Sequence, residues 1–346
     1  MSFHKSHVSA RTVRSGAVFI VALACFGCGI VLDSTVPSVS TATTQASDED
    51  FGDQPIRPIS EIKGLNKDQV ELGKKLFLDK RLSKDNTVAC ASCHGLSTGG
   101  CDQKSHSTGI NGAIGGINAP TVLNSGHNFI QFWDGRAPSL EAQVNGPTHH
   151  PKEMGSNWKE IIGKLNSDPA MVDEFKKAFG TGITEDAVRT AIANFERSLT
   201  TLNAPFDRYL KGDKTALSPA AIRGYETFKK IGCSSCHQGE NVGGNMFAKL
   251  GEMDDYFAAR KDITDADAGR FAVTKREKDK GVFRVPTLRN VELTHPYFHD
   301  GSVDSLDMAV QLMGYYQLGR VMDKNDVGDI VEFLKSLTGE QPETAK

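Results

Sequence analysis

Two copies of one five-residue pattern constrain this chain more than any other feature: Cys90-Ala-Ser-Cys93-His94 and Cys233-Ser-Ser-Cys236-His237. Thiols separated by two residues can form thioethers with the two vinyl groups of one haem. The adjacent His is then directed to the iron as its proximal ligand. The competing reading is a single zinc ion held by four thiolates drawn from both pairs. Against zinc stand the spacing of the motifs, 143 residues apart, the trailing His in each, and the signs of export described next. Two covalently bound haems c are expected, one on Cys90 and Cys93 with His94, the other on Cys233 and Cys236 with His237.

The N-terminus reads as a secretory leader over residues 1–33. Lys5, Arg11 and Arg14 precede an uncharged apolar run from Ala17 to Leu32, closed by Asp33. That run falls short of the roughly 20 residues a spanning helix needs, so membrane attachment enters only as an alternative, through an uncleaved or lipidated leader at Cys25 or Cys28. The expected compartment is the periplasm. Of the seven cysteines, two lie in the leader and four in the haem motifs, which leaves Cys101 alone. Over the whole chain the net charge is −3, with 38% hydrophobic and 24% charged residues. Without the leader, 37 basic and 42 acidic residues give −5. Such a balance suits a globular body and does not suggest nucleic acid as a partner.

Residues 34–58, rich in Ser, Thr, Pro and Asp, read as a flexible tether. The body carries a diffuse repeat. Val70 to Phe77 precedes the first haem motif and Ala221 to Phe228 the second, each helical in periodicity, each with Gly and Phe four residues apart (Gly73 and Phe77, Gly224 and Phe228). Ser218-Pro219 opens the second copy as an N-cap followed by proline. Two more helices are expected over Glu185–Leu199 and through Val327, Ile330, Val331, Leu334 and Leu337, the latter stopped by Gly339. Strand-like alternation is nearly absent, and the Gly-rich stretches 95–117 and 238–251 read as long loops. The expected fold is all-α: two cytochrome c-like haem domains with long loops, over residues 59–202 and 203–340, then a tail at 341–346.

Four stretches resemble the bacterial dihaem cytochrome c peroxidases: the first haem motif with Thr98-Gly-Gly; Asn118-Ala-Pro-Thr121-Val; Gln131-Phe-Trp133-Asp-Gly-Arg136-Ala; and Phe283 to Asn290 with Thr294 to Gly301. The likeness runs in order from about residue 60 to 340. It implies an enzyme reducing hydrogen peroxide at the N-terminal haem, with electrons from a small soluble cytochrome c or cupredoxin entering at the C-terminal one, in a homodimer. It further implies Glu153 as the acid/base with Gln143 beside it, Met313 as sixth ligand of the C-terminal haem, and Trp133 between the haems. Calcium would be bound at the domain interface by Asn118, Thr294 and Pro296. Each residue also has an ordinary reading. Glu is usually a solvated surface residue, Met308, Met313 and Met322 could be core filler, and Trp133 could be a buried aromatic. His149 and His150 suit a proton shuttle chemically but miss the matched position.

One departure stands out. Members of this family that need reductive activation carry a distal His sixteen residues after the proximal one, and here that position is Ile110, which cannot ligate iron. An open peroxide site is expected, with His106 as the alternative ligand through a shifted loop. Relatives that oxidise side chains of a partner protein carry Tyr in place of the Met ligand, so Met313 argues against that activity. A plain electron-carrying dihaem cytochrome would need neither Glu153 nor an open pocket.

Overall fold

The computed structural model describes residues 51–258, 260 and 262–346. The leader at 1–33 and the tether up to residue 50 lie outside the described residues. Among the described residues, no helix is long and apolar enough to cross a membrane.

The first half contains α1 (Lys67–Leu78), α2 (Cys90–Cys93), α3 (Leu140–Gln143), α4 (Asn145–His149), α5 (Trp158–Asn166), α6 (Pro169–Phe179) and α7 (Glu185–Ser198). The second contains α8 (Pro205–Leu210), α9 (Pro219–Ile231), α10 (Phe271–Thr274), α11 (Leu306–Leu312) and α12 (Lys324–Lys335). The long helices start at side-chain caps. Asn66 accepts from the Gln69 amide, Thr184 from Ala187, Ser218 from Ala221, and Asp323 from Asn325 and Asp326. Each cap satisfies an amide that the first turn leaves without a helical partner.

The internal repeat has a structural meaning. α1 packs on α7, and α9 packs on α12. A Cβ at Gly73 would overlap the Ala191 carbonyl on α7, and one at Gly224 would overlap the Asp329 carbonyl on α12. Glycine at this place lets two helix backbones touch, once in each half. The repeated Phe locks each crossing from one turn further on. Phe77 meets Phe195 edge-on at 5.2 Å between centroids, and Phe228 meets Phe333 at 5.1 Å. The second haem motif follows almost directly from the end of α9, and the first follows α1 after an intervening turn and loop.

Two apolar cores result. One is built on α1, α5, α6 and α7, the other on α8, α9, α11 and α12. The chain ends cross over between them: Ile56 lies in the second core and Ala345 in the first. This corrects the tether reading for residues 51–58. Ile56 is fully buried, the Pro55 carbonyl accepts from the Gly239 amide (2.8 Å), and Tyr225 donates its hydroxyl to Gln54 Oε1 (2.7 Å). A polar composition masked one anchoring isoleucine.

Two further expectations change. The fold is predominantly helical and not all-α, because β1 (Phe247–Lys249) and β2 (Val282–Arg284) pair antiparallel, with Phe247 opposite Arg284. The stretch 238–251 is therefore not wholly loop. The last helix ends at Lys335, before Gly339, whose amide instead donates to Asn290 Oδ1 at 3.1 Å.

Candidate active site

The first haem motif occupies α2 and the residue after it. Ala89 opens the turn, and Ser92 Oγ accepts from the Ala89 amide at 3.0 Å. His94 then turns inward, its Nδ1 facing the Gly100 carbonyl at 3.3 Å. At the second site, His237 Nδ1 faces the Val242 carbonyl at 3.4 Å. A carbonyl partner fixes Nδ1 as the protonated nitrogen and leaves Nε2 as the lone-pair donor, the arrangement an iron-ligating His requires. Burial holds both rings neutral: it lowers the His94 pKa and takes that of His237 down to about 4. The Cys233 thiol is pushed up to about 12 by burial, and burial raises Cys90 and Cys93 as well. Burial in apolar surroundings keeps these cysteines as uncharged thiols in the metal-free protein.

A cavity of about 240 Å³ adjoins the second motif. Cys233, Cys236 and His237 line it with Met313, and Phe228, Val285, Leu288, Val310 and Leu334 supply its apolar wall. A flat apolar macrocycle with an iron at its centre suits this lining and donor set. Met313 stands where α11 passes into a π-helical turn, Met313–Gln317, a local widening common at functional positions. Met322 also lines the cavity, whereas Met308 is 48% exposed on the outer face of α11. Trp133, Asn118, Thr294 and Pro296 line the same cavity. The indole N–H of Trp133 donates to the Asn118 carbonyl at 3.0 Å.

The second site therefore fits haem in lining and donors, and the first presents the same pair of thiols and a buried, neutral His. Mass spectrometry of the mature protein is expected to find two covalently attached haems, and Cys90→Ala or Cys233→Ala to weaken attachment at one site only. Bound zinc without haem, after expression with a maturation system, would overturn this.

Glu153 follows α4 in a tight turn, its amide donating to the His150 carbonyl at 3.0 Å. Its side chain keeps 41% exposure on one side, with His150 Nδ1 3.4 Å from the carboxylate. The rest is crowded enough that desolvation raises its pKa, against the opposing charges of His150 and Arg136. The Glu153 charge also acts on the Cys93 thiol. Glu153 thus lies within electrostatic reach of the first haem motif. Gln143 closes α3, half-buried, ten residues earlier on the same segment.

The histidine rivals separate on geometry. His149 Nδ1 donates to Asn145 O at 2.9 Å, and the ring packs edge-on against Trp158, a structural placement. His150 touches Glu153 as a neighbour. Ile110 is buried at 5% exposure, while His106 is half-buried in the same loop, next to Ser107.

Three features escaped sequence reasoning. Arg136 lies 3.5 Å over the Phe132 ring and carries positive charge toward Glu153. Glu196 on α7 is buried, its pKa pushed up to about 8, and its charge acts on Cys90. Beside Trp133, His299 Nε2 meets Asp267 Oδ1 at 2.8 Å, and Arg260 Nη1 bridges Asp267 (3.1 Å) and Asp300 (2.6 Å). Arg260 and Asp267 belong to a charge-rich stretch that reads as solvated, so only the His299 motif signalled the cluster.

Comparison with known proteins agrees with this geometry. Residues 67–215 match the family described as di-haem cytochrome c peroxidase. The chain is 48% identical over 291 residues to a cytochrome c551 peroxidase of Nitrosomonas europaea, covering 84% of this chain and 86% of that one. It is 44% identical over 289 residues to a cytochrome c551 peroxidase of Pseudomonas aeruginosa, covering 82% and 83%. A solved structure of a MauG-like protein associated with microbial copper homeostasis superimposes with a TM-score of 0.72 at 27% identity, covering 85% of this chain and 96% of that one. The two haem motifs and relatives of this similarity place the chain in the di-haem cytochrome c peroxidase family, oxidoreductases with two c-type haems that act on peroxide.

Proposed function

We propose that this chain is a periplasmic enzyme reducing hydrogen peroxide to two waters, with two protons from solvent and two electrons from a small soluble cytochrome c or cupredoxin. Residues 59–202 form the peroxidatic domain and 203–340 the electron-transfer domain. Electrons enter at the site of Cys233, Cys236, His237 and Met313, and pass by way of Trp133 toward that of Cys90, Cys93 and His94. When bound, haem supplies the iron centres at which peroxide is reduced and through which electrons arrive.

The protein's own chemistry centres on Glu153. Its carboxylate accepts the proton of one peroxide oxygen and returns it to the other as the O–O bond breaks, with Gln143 as a polar neighbour. The observation that supports this reading is the half-buried Glu153 carboxyl, its pKa raised by desolvation, within electrostatic reach of Cys93. Calcium belongs to the same proposal. Asn118 spends its amide N–H on the Lys104 carbonyl at 2.9 Å, which leaves Oδ1 for the ion beside the carbonyls of Thr294 and Pro296. A homodimer is the proposed assembly.

With Ile110 at the gating position, no strong ligand has to leave before peroxide binds. The oxidised enzyme is therefore expected to turn over peroxide without prior reduction, and its resting absorption spectrum to include a high-spin component. Ile110→His is expected to give a low-spin form that stays slow until reduced. A resting enzyme already low-spin at both sites, and changed by His106→Ala, would assign the ligand to His106 and overturn the open site.

A further inference from the structure

The loop that carries Ile110 does not stand free. Thr108 and Ile114 bridge antiparallel and the Gly109 amide donates to the Ala113 carbonyl at 2.8 Å, so residues 108–114 close into a small hairpin. Its tip lies on the turn that presents Glu153. The Ile110 amide donates to the Glu153 carbonyl at 2.9 Å. The buried Ile110 side chain fills the space that Gly155 leaves, where a Cβ would overlap Ile110 Cδ1. Gly109 allows the approach from the other side, since a Cβ there would overlap the Lys152 carbonyl and crowd Glu153 Cα. Beneath, the turn is pinned by the Met154 amide to the Pro147 carbonyl (3.1 Å) and by the Lys84 amide to the Met154 carbonyl (2.9 Å).

We propose that residues 108–114 are a clasp and that Ile110 is a positioning residue, holding the Glu153 backbone in register so that its carboxyl faces the peroxide site. The position that could block the site in a gated relative here secures the acid/base group instead. Polar side chains in that loop would compete for water, whereas a buried isoleucine keeps the tip seated. The inference rests on Glu153 being the acid/base, and its test separates the two.

The experiment uses the two-haem holoenzyme with Ile110→Ala, Ile110→Val and Gly109→Ala, each alone and combined with Glu153→Gln. Gly109 has φ −96°, which alanine can adopt, so the substitution acts by pushing against the Lys152 carbonyl and the Glu153 backbone. Misplacing a catalytic group by about 1 Å costs up to ~10²-fold in rate. Ile110→Ala and Gly109→Ala are therefore expected to lower peroxide kcat/KM by about ten- to 10²-fold while Ile110→Val stays near wild type. In the Glu153→Gln background the same changes are expected to have almost no further effect, because the group they position is gone. Amide hydrogen exchange of residues 150–155 should quicken in Ile110→Ala and Gly109→Ala. Equal losses in both backgrounds, or unchanged exchange at 150–155, would overturn the clasp. Near-normal turnover in Glu153→Gln alone would remove the acid/base reading, and faster exchange at 150–155 would still report the clasp.

Discussion

Replacing Glu153 with glutamine is expected to lower peroxide turnover by about 10²–10⁴-fold, the range for loss of a general acid–base group, with both haem spectra intact. Glutamine keeps the size and hydrogen-bonding of the side chain but cannot take up and release a proton. The pH dependence identifies the group. Desolvation raises the Glu153 pKa above the usual carboxylate value, so more acid is bound at any given pH than by an exposed Glu. Glu153 must be ionised to accept the first proton. Activity is therefore present above its raised pKa and lost as pH falls through it, and this acid limb should vanish in Glu153→Gln. The positive charge of His150 opposes the shift, so His150→Gln should move the limb to still higher pH. Near-normal turnover, or an acid limb unchanged in Glu153→Gln, would return Glu153 to the ordinary surface carboxylates.

What could be read from the sequence was local. The haem motifs sit within five residues, and the helices over Glu185–Ser198 and Pro219–Ile231 follow from apolar spacing and caps that need only one turn of chain. The repeated Gly and Phe marked two equivalent helices, although their partners, Ala191 and Phe195 or Asp329 and Phe333, appear only once the helices cross. Long-range pairings left no such trace. β1 and β2 are three residues each and about 30 apart, too short for alternation to register. Ile56 is one apolar residue in a polar stretch, yet it is fully buried because the second core offers it a slot. Charge was the least legible. Asp267 and Arg260 look like solvated loop residues until His299 and Asp300 close around them, and Ile110 could be recognised as a missing ligand but not as a packing residue.

The largest expected change in stability comes from a charged pair that the sequence left unflagged on one side. Arg289 is fully buried, and its guanidinium donates to both Asp207 carboxylate oxygens (2.8 and 2.9 Å), the Arg57 carbonyl (3.0 Å) and the Glu240 carbonyl. Asp207 is 2% exposed. Exposed pairs such as Lys176–Asp173 contribute little, because water and salt screen them. In the interior the balance differs. Removing Asp207 leaves a guanidinium, which cannot shed its proton, with two carbonyls and no counter-charge. Asp207→Ala is expected to cost about 3–5 kcal/mol, read as a lower urea midpoint with an unchanged slope. Substituting both members, Asp207→Leu with Arg289→Met, should recover most of that loss, since no buried charge is then stranded. The location adds a second readout. Arg289 ties the Arg57 carbonyl to the second core, and Ser60 reaches Glu240 Oε2 at 2.7 Å nearby. Hydrogen exchange over residues 54–60 should therefore accelerate in Asp207→Ala before the haem spectra change. An unfolding free energy within about 0.5 kcal/mol of wild type, the scale of an ordinary surface substitution, would show that Arg289 is held by its carbonyl partners and not by its charge pair.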